Sequence, residues 1–313
     1  MSTPSFVFTT AIGLVIGICA VGTLTAQTPA SSGIPVHTVV TVESRHGSAP
    51  PVVSQQDVMV TEGKDRDMVK EWIPAQGDHA ALEFFILIDD SSNLTLGTQL
   101  DDLRKFINEQ PASAKVGVAY MENGMARIVQ NLTSDHAQTA AALRLPLGRN
   151  FGEASPYFSL SDLIKGWPAS SARREVLMVS NGIDLYYGQA DLLDPYLATA
   201  IQDAQRAGII VSAIYTPAAG HLGHSYWLDY WGQLYLAQLA EKTGGESYYI
   251  GFMGAPVNFA PYLEDVTQRL NHQYFLTFLA KPPKKSGFQR VKIKTEVSNA
   301  DLVAPEEVWV PAS

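Results

Sequence analysis

Cysteine is nearly absent from this chain. Cys19 is the only one among 313 residues, which excludes an intrachain disulfide and any zinc or iron–sulfur site built on several thiolates. Charge is scarce too. Charged residues make up 17%, and 31 acids against 22 Lys and Arg leave a net charge of −9. A surface of that sign repels phosphate backbones and anionic lipid, so nucleic acid is not an expected partner. There is no Gly-rich dinucleotide loop, no Walker loop and no internal repeat. Apolar residues are plentiful at 46%, enough to build the core of about two domains at this length.

The first 26 residues have no charged side chain, and Phe6 to Leu24 is almost wholly apolar or small. This reads as a signal peptide over residues 1–26, with Leu24-Thr25-Ala26 as an A-x-A-like cleavage site. A membrane contact is expected only if that leader stays uncleaved as an anchor. Either way the remainder leaves the cytoplasm, so the expected location is secreted, periplasmic or in the cell envelope.

Residues 27–80 begin as a Ser/Thr/Pro/Gly linker and continue as short β-prone runs: Val36–Val42, Asp57–Thr61 and Asp65–Ile73. The pattern changes at Ala81. Leu82 to Ile88 is an unbroken apolar run, expected of a strand buried on both faces. A helix is predicted from about Leu94 to Glu109, and a hairpin at Ala114–Met121 and Met125–Gln130 around Glu122-Asn123-Gly124. Helices over Ser134–Leu143 and Ser155–Trp167 follow. Next come a strand at Glu175–Ser180, a helix from Leu192 to Ala207 and a strand at Ile209–Tyr215. Helix Trp231–Lys242, strand Glu246–Ile250 and helix Phe259–Leu270 complete the region. Alternating strands and helices predict an α/β domain over 81–272: a doubly wound, mostly parallel sheet with helices on both faces and the hairpin at an edge. Residues 273–313 return to β character at Gln273–Leu279, Arg290–Val297 and Glu307–Val310. Neither flank can close a core alone, so both are expected to pair into one small β module. The Lys281, Lys284, Lys285, Arg290, Lys292 and Lys294 run fits a guarded edge strand within it.

In an open α/β sheet, ligands bind outside the carboxyl ends of the strands, where strand order reverses. The first long strand runs into Asp89-Asp90-Ser91-Ser92-Asn93, a carboxylate followed by oxygen-bearing side chains at two-residue spacing. Here the chain resembles the von Willebrand factor A-type (VWA) domain. That family's metal-ion-dependent adhesion site has an Asp-x-Ser-x-Ser loop, a Thr before the third helix and an Asp in Thr-Asp-Gly after the fourth strand. Asp89 and Ser91 match the first two positions, Asn93 replaces the last serine, Ser155 fits the threonine, and Ser180-Asn181-Gly182 stands where Thr-Asp-Gly is expected. The flanks are similar to the β-rich flanks of exported bacterial VWA proteins. The resemblance implies non-catalytic binding or adhesion to a protein partner, with Mg²⁺ or Ca²⁺ as the cation that Asp89, Ser91, Asn93, Ser155 and Asn181 would hold. The amide at Asn181 removes one charged ligand, which predicts weakened affinity.

Rings gather in two loops that also leave strand ends. Tyr186 and Tyr187 follow the Glu175–Ser180 strand, and His221, His224, Tyr226 and Trp227 follow Ile209–Tyr215. Such side chains join apolar area to a polar handle and are enriched in binding surfaces; alternatively they pack as a lid over the sheet. The competing function class is a hydrolase or phosphatase using Asp89 or Ser225. Gly223-His224-Ser225-Tyr226-Trp227 has tryptophan where a nucleophile elbow needs glycine, and Asp89-Asp90-Ser91 lacks the second aspartate of an aspartate-nucleophile loop. His221, His224 and Asp229 form a weaker zinc candidate without a motif to fix them.

Overall fold

A computed structural model describes residues 1, 33–47, 49–148, 155–187, 194–249 and 258–312, and the His221 side chain is outside it. The expected leader, the start of the helix predicted from Leu192, and Ile250 of the predicted strand lie outside the described residues. In chain order the strands and helices are β1 (Ile34–Ser44), β2 (Val58–Glu62), β3 (Asp65–Pro74), β4 (Leu82–Asp89), α1 (Leu100–Asn108), β5 (Ala114–Glu122), β6 (Met125–Thr133), α2 (His136–Ala141) and α3 (Pro156–Gly166). They continue with β7 (Arg173–Ser180), α4 (Pro195–Ala207), β8 (Ile209–Tyr215), α5 (Tyr226–Thr243), β9 (Ser247–Tyr248), α6 (Ala260–Asn271), β10 (Gln273–Ala280), β11 (Gly287–Arg290), β12 (Lys292–Thr295), β13 (Ala300–Val303) and β14 (Glu307–Val310).

The central sheet has the order β6-β5-β4-β7-β8-β9. All its neighbours are parallel except the β5–β6 pair, which is an antiparallel hairpin at the edge. Asn123 (φ 52°) and Gly124 (φ 75°) both adopt the left-handed conformation that a two-residue hairpin turn of this hand demands. The β4 run explains the layering. Phe84, Ile86 and Ile88 pack with Leu103 and Phe106 of α1 and Leu263 and Val266 of α6. Phe85 and Leu87 pack with Tyr157 and Leu160 of α3, Leu197 and Ile201 of α4, and Leu236 of α5. Alternate residues of one strand therefore feed two separate cores, as strand geometry requires.

The flanks form a second six-stranded sheet, β12-β2-β3-β10-β1-β13, with β11 paired to β14 beside it. Its core holds Val40, Trp72, Leu276, Phe278 and Val310, and Trp72 stacks on Tyr274 at 4.4 Å. At one edge, β12 exposes Lys292 and Lys294, charges that discourage further strand pairing. Both sheets belong to one compact unit, Ser32–Ser313. They meet at the amino end of the parallel strands. Arg173, the first residue of β7, donates to the Gln273 Oε1 of β10 (2.6 Å), and Gln273 donates back to buried Glu175 (2.5 Å). Arg206 at the end of α4 lies 4.0 Å over the Trp309 ring. The carboxyl end is thereby left uncovered by the flanking sheet.

Several boundaries depart from the sequence reading, four of them for a visible reason. The helix predicted from Leu94 opens as a 3-10 segment, Leu94–Gln99, because Asn93 caps a tight turn there, and becomes α-helical only at Leu100. The helix predicted over Ser134–Leu143 shortens to His136–Ala141, since Asp135 caps it. The helix predicted from Trp231 starts five residues earlier, capped by Ser225. The strand predicted over Arg290–Val297 breaks at Val291, whose N–H is claimed by the Glu306 carbonyl, so that β11 pairs with β14 and β12 with β2. Among the described residues, no helix is long and apolar enough to cross a membrane.

Candidate functional site

The site begins where β4 ends. Asp89 is 6% exposed, and every lone-pair direction of its carboxylate is taken. Oδ1 accepts from the Ser91 N–H (2.9 Å) and the Ser91 hydroxyl (2.7 Å), and Oδ2 accepts from the Ser180 hydroxyl (2.8 Å) and the Asn181 amide (3.1 Å). The Asn181 Nδ2 also donates to Ser91 Oγ at 3.2 Å, while its Oδ1 accepts from the Ile183 N–H at 2.8 Å. Burial raises the Asp89 carboxyl above its ordinary value, and the Ser91 and Ser180 donors pull it partly back.

Adjacent loops complete the floor. Ser155, 1% exposed, caps α3 by accepting from the Tyr157 N–H (3.2 Å), with Pro156 at the first helical position. The Tyr157 hydroxyl donates to the Gly182 carbonyl (2.8 Å), tying α3 to the loop after β7. The loop after β8 docks on the first loop: Ala219 N–H donates to the Ser91 carbonyl, Asn93 N–H to the Pro217 carbonyl, and Ser92 bridges Ala218. Asp89, Ser91, Ser155 and Asn181 together line a cavity of about 50 Å³, with Leu185 and Leu222 also in its lining.

Asn93 does not join them. Its side chain turns away and accepts from the Thr95 N–H (3.0 Å) as a helix cap, which corrects its expected place in a ligand set. Asp90 also faces elsewhere: fully buried, it takes both arms of the Arg144 fork at 2.6 Å and the Leu147 N–H at 3.1 Å. Arg144 lies 3.8 Å over the Tyr120 ring. This pins the segment after α2 that leads toward Ser155. The local sequence has no sign of it, since the partners are 54 positions apart.

The described donor set does not fit a hard divalent cation. Such an ion needs oxygen ligands, whereas the Asn181 group turned toward Asp89 and Ser91 is an N–H₂ donor. Among the described residues, no group of three or more His, Cys, Asp and Glu side chains is placed to hold a metal. Asp229, offered as a zinc ligand with His221 and His224, is buried beside the Tyr215 hydroxyl; burial raises its carboxyl, and Tyr215 and nearby His224 pull it partly back. The Ser225 hydroxyl accepts from the Leu228 N–H as the cap of α5.

The rings stand around this floor in two groups. Tyr186 (54% exposed) and Tyr187 join Phe158 and Tyr196 in edge-to-face contacts with centroids 4.6 to 6.2 Å apart. On α5, Tyr226 and Trp227 are 58% and 62% exposed, and Trp227 and Tyr230 lean on Trp231 at 5.7 and 5.9 Å. His224 is exposed as well; of His221 only the backbone is described. Tyr230, part of the same ring-rich run but not among the expected partner-binding residues, follows Tyr226 by four residues on one helix face.

No family model matches the chain, and no curated protein matches it. Solved structures to which it is similar include an aerotolerance-related membrane protein from Bacteroides fragilis (13% identity, 61% of this chain and 99% of that one, TM-score 0.43). BatB from Bacteroides thetaiotaomicron is another (15%, 61% and 97%, TM-score 0.44). A third is the SpRpn10 VWA domain (13%, 59% and 95%, TM-score 0.39).

Proposed function

We propose that residues 81–272 form a doubly wound VWA-type domain of an exported protein, which binds a protein partner without catalysis through the carboxyl end of its central sheet. Numbered from β4, the sheet order reads 3-2-1-4-5-6, the order whose reversal point lies between the first and fourth strands. The observation that carries the reading is Asp89 at the end of β4, hydrogen-bonded across that point to Ser180 and Asn181 at the end of β7. The exposed Tyr226, Trp227 and Tyr186 give the same rim large amphipathic side chains, while the flanking sheet covers the opposite end. Among the described residues no general base is hydrogen-bonded to Asp89 or Ser225, which favours binding over hydrolysis or phosphoryl transfer.

The test is cross-linking capture from the extracytoplasmic fraction by the exported protein, compared with its Trp227→Ala and Tyr186→Ala variants and a Lys292→Ala control on the far sheet. Loss of one defined partner in the first two, with unchanged melting, supports the reading. Equal capture by all four proteins refutes it.

A further inference from the structure

We infer that this rim is held shut by the Asn181 side chain in the place of a cation, so that the chain uses the site without any divalent metal. The inference rests on the reading of this rim as the binding surface, but its test needs no partner. The loops after β4 and β7 must be joined across the reversal point, because each ends a buried strand in polar groups that require partners. A carboxylate offers about four acceptor positions. On Asp89 all four are filled by protein donors: two from Ser91, one from Ser180 and one from Asn181.

Asn181 makes the link with one nitrogen. Its Nδ2 reaches both Asp89 Oδ2 at 3.1 Å and Ser91 Oγ at 3.2 Å, the two side chains a cation would otherwise draw together. Its orientation is fixed by chemistry. Reversing the amide would set Oδ1 against the Asp89 carboxylate and turn the N–H₂ toward the Ile183 N–H, which now donates to Oδ1 at 2.8 Å. A donor therefore faces the position where a cation needs an oxygen. Of the remaining candidates, Ser155 lines the cavity while its hydroxyl oxygen accepts from the Tyr157 N–H, and Asn93 and Asp90 are committed elsewhere, to the Thr95 N–H and to Arg144.

The backbone holds this arrangement from behind. Gly232 of α5 packs directly on the Asn181 backbone carbonyl, which fixes the main chain from which the amide extends. Placing a carboxylate at 181 would reverse the chemistry: two acids would face each other across the span now bridged by the amide, and a divalent ion would relieve their repulsion.

The experiment is a titration of the chelator-treated exported protein with Mg²⁺, Mn²⁺ and Ca²⁺ into the millimolar range, followed by calorimetry and melting. The wild type is expected to give no saturable heat and no rise in melting temperature. Asn181→Asp is expected to melt lower than wild type in chelator and to regain stability with saturable heat on adding Mg²⁺ or Mn²⁺. A side-chain amide NMR signal of Asn181 that neither shifts with Mg²⁺ nor broadens selectively with Mn²⁺ supports the inference even if Asn181→Asp does not fold. Saturable cation binding by the wild type, or selective Mn²⁺ broadening at Asn181, overturns it. So does a folded Asn181→Asp that remains indifferent to every cation.

Discussion

Gly182 and Gly232 meet backbone to backbone behind the candidate site. A Cβ on Gly232 would lie 2.1 Å from the Asn181 carbonyl oxygen, and one on Gly182 would lie 2.3 Å from the Gly232 carbonyl oxygen. Gly182 also has φ +68°, so a side chain there is strained as well as crowded.

The sign of Gly232→Ala follows from this contact. In an open helix interior, alanine is favoured over glycine by about 1 kcal/mol. Here the main obstacle is the Asn181 backbone, which cannot rotate aside, so the variant should instead lose about 1–3 kcal/mol by overpacking. Chemical denaturation measures it, and a stabilised Gly232→Ala would show that α5 does not sit where described.

The Arg144–Asp90 pair is the second point of leverage. Asp90 is fully buried, and Arg144 is its charge partner. Arg144→Ala leaves that carboxylate uncompensated and should cost about 3–5 kcal/mol. Arg144→Lys should recover only part of this, because an ammonium cannot supply the two parallel hydrogen bonds of the fork. Urea midpoints of the three proteins decide it; a loss below about 1 kcal/mol for alanine would mean the pair is not formed.

What could be read from the sequence was whatever local pattern encodes. The β4 run from Leu82 to Ile88, the Asn123-Gly124 turn and the apolar Ile209–Tyr215 run are short-range signals, and strand order then places Asp89 near Asn181. The Asp89–Ser180 bond was not legible, since nothing marks Ser180 as a donor until β4 and β7 are aligned. Asn93 shows the ambiguity in chemical terms: the same amide oxygen can ligate a cation or cap a turn, and only the direction of the following backbone decides. The start of α5 was hidden for another reason. Tyr226, Trp227 and Tyr230 put large apolar groups on its exposed side, so the usual one-sided periodicity is lost.

Asp184 and Asp194 lie close together, and two substitutions at Asp194 should act in opposite directions. Asp184 Oδ1 accepts from the Tyr186 and Tyr187 N–H groups, and Asp194 Oδ1 caps α4 through Tyr196 and Leu197. Each has a second buried oxygen with no donor among the described residues. Burial raises the Asp194 carboxyl, and neighbouring Asp184 raises it further. Asp194→Asn keeps the capping oxygen and offers Asp184 an N–H, so it should be more stable than wild type at neutral pH. Asp194→Ala loses the cap, at a cost of about 1 kcal/mol. Melting both variants beside the wild type is sufficient; a destabilised Asp194→Asn would mean that its amide does not reach the unpartnered Asp184 oxygen.

The β2–β3 hairpin should carry its own pH dependence through Asp67. Burial, with Asp65 nearby, pushes the Asp67 carboxyl up to about 6, and its Oδ2 has no donor among the described residues. A carboxyl raised in the folded state favours the protonated form. Its contribution to stability is therefore full below the ordinary carboxylate value and is lost as pH rises through about 6. Amide exchange in β2 and β3 should accordingly be better protected at about pH 5 than at about pH 7.5, after correction for intrinsic exchange rates. Asp67→Asn fixes the neutral state and should abolish that difference while leaving the central sheet unaffected. If the variant keeps the wild-type pH step, the titrating group is not Asp67, and Glu62, whose carboxyl is also raised by burial and by Asp67 itself, becomes the residue to replace.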